Sequence, residues 1–485
     1  MKLATETAIR KPAALSTQRR VGRRNGSAGK VVAIIGAGFS GTMAAIHLRH
    51  ALPPDWIVVL LDRTGRFARG PAYAASDAPH LLNVRSLNMS ALPDDPGHFE
   101  RWLGGQAPRW PGEVQVTEAG TFASRRLYGR YLRALLYDEI TQSGGRVRLC
   151  ADDVRGLAPA GNGWRLSCAS GREVAAAAVV IASGTLPSSR PCDGTVFHDP
   201  WAAGATAGLR PGEPVLIVGT GLTMVDLALA MHARGFGGPI VALSRRGLAP
   251  QRHAAPGPAW PCPPFSEGER RSLPALLRAV RRRTRNAAAQ GADWRTVIDA
   301  MRPVTAKLWQ GLPPAERDRF LRHLRPHWDC HRHRMAPVVA DAFDALQARG
   351  VLRLRRGRVL AADPVQGPAG RSVRVVIQDR GASRADALVA QRVIYATGFG
   401  AGAEADGLVA SLAAAGLART DPHGMGLDVS PCLQVTRRDD GAAGGLWALG
   451  PIVRGVFWEC TAVPDIRVQA QTVAGAVAAH LAVAG

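Results

Sequence analysis

The segment VVAIIGAGFSG, Val31–Gly41, decides the fold. Its first five residues, Val31–Ile35, are apolar without interruption, as expected of a strand buried on both faces of a parallel sheet. Gly36, Gly38 and Gly41 follow at G-x-G-x-x-G spacing and open a helix expected over Thr42–Arg49. A second apolar run, Trp56–Leu61, ends in Asp62, an acid about 20 residues beyond the last glycine. Strand, glycine turn, helix and strand together make a βαβ nucleotide unit. Gly36 makes the tight turn, Gly38 lets a pyrophosphate approach the backbone, and Gly41 lets helix and strand pack closely. The free N–H groups at the helix start face the phosphates. Asp62 would accept hydrogen bonds from the hydroxyls of an adenosine ribose.

The pattern occurs twice. PVLIVGTGLTM, Pro214–Met224, carries Gly219 and Gly221, with Met224 where the third glycine would stand. Its second strand, Ile240–Leu243, ends in Ser244-Arg245-Arg246 and not in an acid. An acid repels a 2′-phosphate and arginines bind one, so this site is expected to prefer NADPH over NADH unless the two arginines merely face solvent. Two dinucleotide sites in one chain point to hydride transfer from one nucleotide to the other. Each fingerprint also has a closing segment. Arg146–Thr185 and Leu352–Gly398 both run through short alternating strands and end in a small-residue turn, Ala182-Ser183-Gly184 or Ala396-Thr397-Gly398. Such turns allow close passage of backbone beside a ligand.

The fold class expected is α/β, with two Rossmann-like domains and a helical insertion. Residues 1–30 hold eight Lys/Arg and one acid, Glu6, and read as a disordered basic tail. The first part of one nucleotide domain is expected over 31–190, the second domain over 191–385, and the remainder of the first over 386–485. Within the second domain, the proline-rich stretch 249–264 reads as a linker and about 266–349 as helices. Val339, Phe343 and Leu346 would share one helical face. A final helix is expected after Pro464, because a first-turn proline lacks only an N–H that has no partner there.

Composition excludes several classes. The net charge is +23, from 61 Lys+Arg against 38 Asp+Glu, but aromatic residues are only 6% and no nucleic-acid motif is present. The charge therefore reads as a preference for anionic small molecules, not for a specific nucleic acid. The most apolar stretch, Ala474–Ala484, is short and broken by His480, so no membrane span is expected. Arg19-Arg20 and Arg23-Arg24 precede the nucleotide fingerprint itself, not a signal core, and a cytoplasmic location is expected. Seven scattered cysteines without C-x-x-C argue for a reducing compartment and against a disulfide frame or zinc site. Asp329, Cys330, His331 and His333 form no metal site in this reading, because histidines two apart on a helix do not share a face. They are read as structural, with a place in a substrate pocket as the alternative.

Two fingerprints with meanders and a returning ATG turn resemble the two-dinucleotide-binding flavoproteins. PCDGTVFHDPW, Pro191–Trp201, resembles the linker fingerprint of class B flavin monooxygenases, with Gly194, His198 and Trp201 in the marked positions and a one-residue departure in spacing. Four strings, Arg69–Asp95, Arg125–Leu132, His327–Pro337 and Gly450–Ala470, resemble the family that groups the FAD-dependent urate hydroxylase with the aspartate N-monooxygenase. The modest length is more similar to the urate hydroxylase. The resemblance implies FAD held by Gly36, Gly38, Gly41, Asp62, Asn83, Gly184, Gly450 and Pro464, and NAD(P)H held by Gly219, Gly221, Arg245 and Arg246. The helix near Pro464 would point its positive end at the flavin pyrimidine. Gly450-Pro451 stands where the wider superfamily has Gly-Asp, so one carboxylate contact to the ribityl chain is missing. The implied reaction uses NADPH or NADH and O2. It hydroxylates an anionic small molecule, urate to 5-hydroxyisourate, or else the amine of an amino acid such as aspartate. A flavin reductase without oxygen transfer is the further alternative. Candidates for the substrate pocket are His198, Arg454, Trp458 and Arg467, since arginine pairing and aromatic stacking suit a planar anion. Their ordinary role as ion-pair and core residues is the competing reading. No nucleophile triad is present and none is required.

Overall fold

Two mostly parallel sheets carry the two fingerprints. The computed structural model describes residues 30–74, 80–185, 193–202, 204–367, 370–398 and 407–484. The basic tail up to residue 29, residues 75–79 of the first family-like string, and Pro191-Cys192 lie outside the described residues.

In the first sheet Val31–Ile35 is central. It pairs in parallel with Ile57–Asp62 on one side and Ala178–Ile181 on the other. Val147–Ala151 extends one edge, and Ala442–Ala448 with Gln434–Thr436 extends the other. Four of the five Val31–Ile35 residues are buried, as their uninterrupted apolar run requires. Helix Phe39–Ala51 packs against the C-terminal helix Val463–Ala484. The first helix starts three residues earlier than its apolar pattern indicates, because Gly38 is already its N-cap. Likewise Trp56 stays outside the strand, its N–H turned back to the Pro53 carbonyl. Pro464 is the second residue of the final helix, as expected.

The second sheet runs Val196–Phe197, Arg392–Tyr395, Val215–Val218, Ile240–Ser244, Leu352–Gly367, Gly370–Asp379, Ala385–Ala390. Its first four junctions are parallel and its last two antiparallel. The long strand Leu352–Gly367 begins in the parallel sheet and ends in the meander, with a register shift between Val359 and Ala361. Ala385–Ala390 and Arg392–Tyr395 both belong here. The chain therefore returns to the first unit after Tyr395, not at residue 386. The reason is symmetry: Arg392–Tyr395 closes the second fingerprint as Ala178–Ile181 closes the first.

That symmetry extends to individual atoms. Ala182 N–H donates to the Ile35 carbonyl at 2.8 Å, and Ala396 N–H to the Val218 carbonyl at 2.7 Å. Gly36 N–H donates to Leu61 O and Gly219 N–H to Leu243 O, both at 2.8 Å. Gly36 and Gly219 adopt φ of 101° and 123°. A Cβ on either would lie 2.5 or 2.3 Å from the carbonyl oxygen of Ala182 or Ala396.

Helices from Glu267–Arg270 to Pro337–Ala348 form the insertion. Phe343 and Leu346 are buried on one face of the last helix, with Val339 packed beside them. The 249–264 stretch holds no helix, yet it is tied down: Gln251 and Met335 bond through Met335 N–H to Gln251 O at 2.8 Å. Arg125 pairs with Asp226 at 2.9 Å and joins the two units near their fingerprints. No helix of the described residues is long and apolar enough to cross a membrane. The six described cysteines are free thiols.

Gly36→Ala and Gly219→Ala are expected to lose about 2 kcal/mol or more, from left-handed strain plus the carbonyl clash. Gly221, at φ −81° and with nothing within 4 Å of the place a Cβ would take, should accept alanine within about 0.5 kcal/mol. Urea denaturation of the three variants tests this contrast; equal losses would refute it.

Candidate functional site

The first fingerprint forms a bare backbone cradle. Gly38 caps helix Phe39–Ala51 with extended backbone, and Gly70 lies across from it, 3.6 Å from where a Gly38 Cβ would be. Ala68 N–H donates to the Ala37 carbonyl at 2.8 Å, which fixes this second loop over the first. Asp62 sits at the strand end, as expected. One of its oxygens accepts from Thr64 N–H and Oγ–H at 2.8 and 2.6 Å, and the other from Ala37 N–H at 3.2 Å. A carboxylate has further lone pairs, so it retains capacity for ribose hydroxyls.

The C-terminal segment meets this cradle. A Cβ on Gly450 would lie 2.3 Å from Ser40 Oγ, in the first turn of that helix. Gly450 N–H donates to Gln469 Oε1 of the final helix at 2.8 Å. Gly184 lies beyond the closing strand, half-buried and with open space where a Cβ would be. Asn83 is further off: its carbonyl accepts from His253 Nε2 at 3.0 Å, a bond between the first unit and the linker. The first turn of the final helix is not purely positive. Asp465 stands there, paired with Arg302 of the insertion at 2.7 Å. Burial, partly offset by Arg302, holds the Asp465 carboxyl above its ordinary range.

The second cradle lacks an acid. Thr220 Oγ1 bonds Ser244 Oγ at 2.9 Å and donates to the Leu248 carbonyl at 2.5 Å, which ties the fingerprint to the arginine turn. Arg245 is exposed and Arg246 half-buried, and neither pairs with a carboxylate among the described residues. Met224, in place of the third glycine, is fully buried in the core of this unit.

The pocket candidates divide. Arg454 lies over the Trp458 ring, 4.5 Å from its centroid, and both are nearly buried. Burial, and then the nearby Arg325, push the Arg454 guanidinium down to about 10. Trp458 packs on Trp309 and Phe320 of the insertion at 4.9 and 5.2 Å, and its buried Nε1–H has no partner among the described residues. Arg467 sits on the final helix and donates to the Ser90 carbonyl at 2.8 Å. His198 is elsewhere. It stacks on Tyr395 at 4.6 Å in the second sheet, so it joins the nucleotide side and not the Arg454–Trp458 pair. His331 turns to the His327 carbonyl and Trp294, while burial holds His333 down to about 4. Among the described residues no three His, Cys, Asp or Glu side chains gather as a metal site.

Several residues of this region escaped the sequence reading. Glu459 accepts from Trp328 Nε1 at 2.7 Å and Arg332 Nε at 3.0 Å. Trp309 Nε1 donates to the Gly455 carbonyl at 2.8 Å. The strings His327–Pro337 and Gly450–Ala470 are thus one structural site. Their shared family-like character was the available signal.

Comparisons with known proteins agree with this architecture. Residues 33–186 match the family model described as FAD-NAD(P)-binding. No curated protein matches the chain in sequence. Among solved structures, L-lysine 6-monooxygenase from Pseudomonas syringae is similar at 18% identity and TM-score 0.61, over 93% of this chain and 99% of that one. Ornithine hydroxylase from Pseudomonas aeruginosa gives 16% and 0.61 over 93% and 100%. The ornithine N-hydroxylase of Kutzneria sp. 744, solved with FADred, NADP+ and L-orn, gives 14% and 0.56 over 92% and 98%. At these identities the likeness is one of fold. The chain has the flavin-monooxygenase-like fold with Rossmann-type domains for FAD and NAD(P)H.

His253 is buried, and burial lowers it to about 4 from an ordinary 6.5. The unfolded chain takes up its proton first as pH falls. Stability is therefore lost from pH 6.5 down toward 4, at up to about 1.4 kcal/mol per unit for one fully formed difference. His253→Gln retains a donor for Asn83 and should show a shallower loss between pH 7 and 5 in urea titrations; an unchanged slope would exclude His253 as a source.

Proposed function

We propose that the protein is a flavin-dependent monooxygenase that uses NAD(P)H and O2 to hydroxylate the amine of a small anionic substrate. The observation that carries this is the meeting of the helical insertion with the 450–467 segment. It brings Arg454 over Trp458, with Arg332 paired to Glu459 and Arg302 to Asp465 of the same segment, which begins at the turn that touches the first cradle. FAD held in the first cradle would supply the redox chemistry, hydride acceptance from NAD(P)H and transfer of one oxygen atom of O2 to the substrate, the other leaving as water. The chain's residues supply the rest. Gly36, Gly38 and Gly41 with the helix start hold the FAD pyrophosphate, and Asp62 its ribose. Gly450 and Pro464 border the flavin end; Gly184 and Asn83 are outlying candidates. Gly219 and Gly221 hold NAD(P)H, with Arg245 and Arg246 on the 2′-phosphate. Arg454 orients the anionic group of the substrate, and the Trp309, Phe320 and Trp458 rings exclude water.

Amine hydroxylation takes precedence over urate hydroxylation because solved structures similar over 92–93% of the chain at TM-scores of 0.56–0.61 include a lysine 6-monooxygenase and ornithine hydroxylases. The urate reading is drawn from sequence resemblance alone.

The purified yellow protein should oxidise NADPH faster in the presence of one amino acid or related amine, with a hydroxylamine as product by mass spectrometry. L-aspartate, L-ornithine, L-lysine and urate make the first panel. Conversion of urate alone would overturn the amine reading, and stimulation without an oxygenated product would leave a reductase. In the doubly substituted Arg245→Ala, Arg246→Ala enzyme, KM for NADPH should rise about tenfold or more while KM for NADH changes under about threefold. Equal changes would remove these arginines from the 2′-phosphate.

A further inference from the structure

Glu459 combines three features that rarely coincide. Its backbone lies at φ 73°, a left-handed conformation uncommon for a residue with a Cβ. Its side chain is buried, 4% exposed. Each carboxylate oxygen takes a different donor, Trp328 Nε1 on one and Arg332 Nε on the other. Both donors stand on one face of helix Arg325–Arg332 in the insertion, four residues apart. Glu459 itself belongs to the segment of the first unit that carries Arg454 and Trp458. A buried ion pair alone does not call for a left-handed backbone. Strain of this kind persists where the surroundings over-determine a residue's place, and it concentrates at functional sites.

We propose that Glu459 is a positioning residue. It holds helix Arg325–Arg332 against the 450–463 segment and thereby sets Arg454 and Trp458 for substrate, without touching the substrate itself. This rests on the reading of Arg454 and Trp458 as the substrate pocket. Glutamine has nearly the same volume but only one acceptor oxygen, and its NH2 would face a donor. Glu459→Gln should therefore release one of the two contacts with little change in packing. Trp328→Phe removes the tryptophan contact alone.

Hydrogen exchange on the flavin-loaded enzyme without substrate tests the clamp. In both variants, amides of 325–332 and of 450–458 should exchange about tenfold faster, with the Gly36–Ala51 region unchanged. Anaerobic flavin reduction by NADPH should stay within about twofold, while substrate KM rises about tenfold and less product forms per NADPH oxidised. Unchanged exchange in either segment overturns the proposal, whatever the substrate. Faster exchange with unchanged KM and coupling also overturns it, because the contact would then be structural only. If no panel compound is turned over by the unsubstituted enzyme, the substrate reading fails, and the exchange result still decides the clamp.

Discussion

The structure depends on a backbone-to-backbone contact made twice. In each unit the first glycine of the fingerprint lies against the carbonyl of the alanine that follows the closing strand, with no room for a Cβ between them. This contact brings the helix start, the strand end and the closing turn to one edge of the sheet. A nucleotide phosphate can reach main-chain N–H groups there only because no side chains intervene. Everything placed around the two cradles inherits its position from these contacts: the Asp62 carboxylate, the Ser244–Arg246 turn, and the Gly450 turn against Ser40.

The two cradles are equal in backbone and unequal in chemistry. The first has Gly41, whose Cβ would fall 1.8 Å from the Gly36 carbonyl, so helix and loop touch directly. The second has Met224 at that sequence position, buried in the core of its unit, and its second strand is followed by cations. Between the units, the insertion is held by directional bonds as well as by rings. Arg302 reaches Asp465, Trp309 reaches the Gly455 carbonyl, and Arg332 with Trp328 reaches Glu459. The segment beside the first cradle is thus framed by the second unit's own insertion.

Much of this was legible in the sequence, for a physical reason. Val31–Ile35, the fingerprint glycines and Asp62 are encoded locally, by strand hydrophobicity and by turns that only glycine can make. The closing segments were legible as a repeat. The boundary drawn at 385/386 cut Arg392–Tyr395 from the second unit, although the Leu352–Gly398 repeat places it beside that fingerprint, where it pairs with Val215–Val218. Glu459 was missed for a similar reason: its donors are 131 and 127 residues away, and nothing local marks a glutamate whose backbone will be left-handed. His198 carries a motif's mark but stacks on Tyr395, since spacing along a chain says little about which sheet edge a side chain meets.

The order of the strands has a kinetic side. Val31–Ile35 and Ala178–Ile181 are made before the second sheet, but Ala442–Ala448, which pairs beside them, and the helix that packs on Phe39–Ala51 are made after it. The second unit is complete by about Tyr395, before those pieces exist. During synthesis the second unit can close its sheet first, while the first unit waits with one sheet edge and one helix face uncovered. These later residues therefore complete the earlier core, and a chain halted before them would leave the Ala178–Ile181 edge unpaired and open to any chaperone or neighbour.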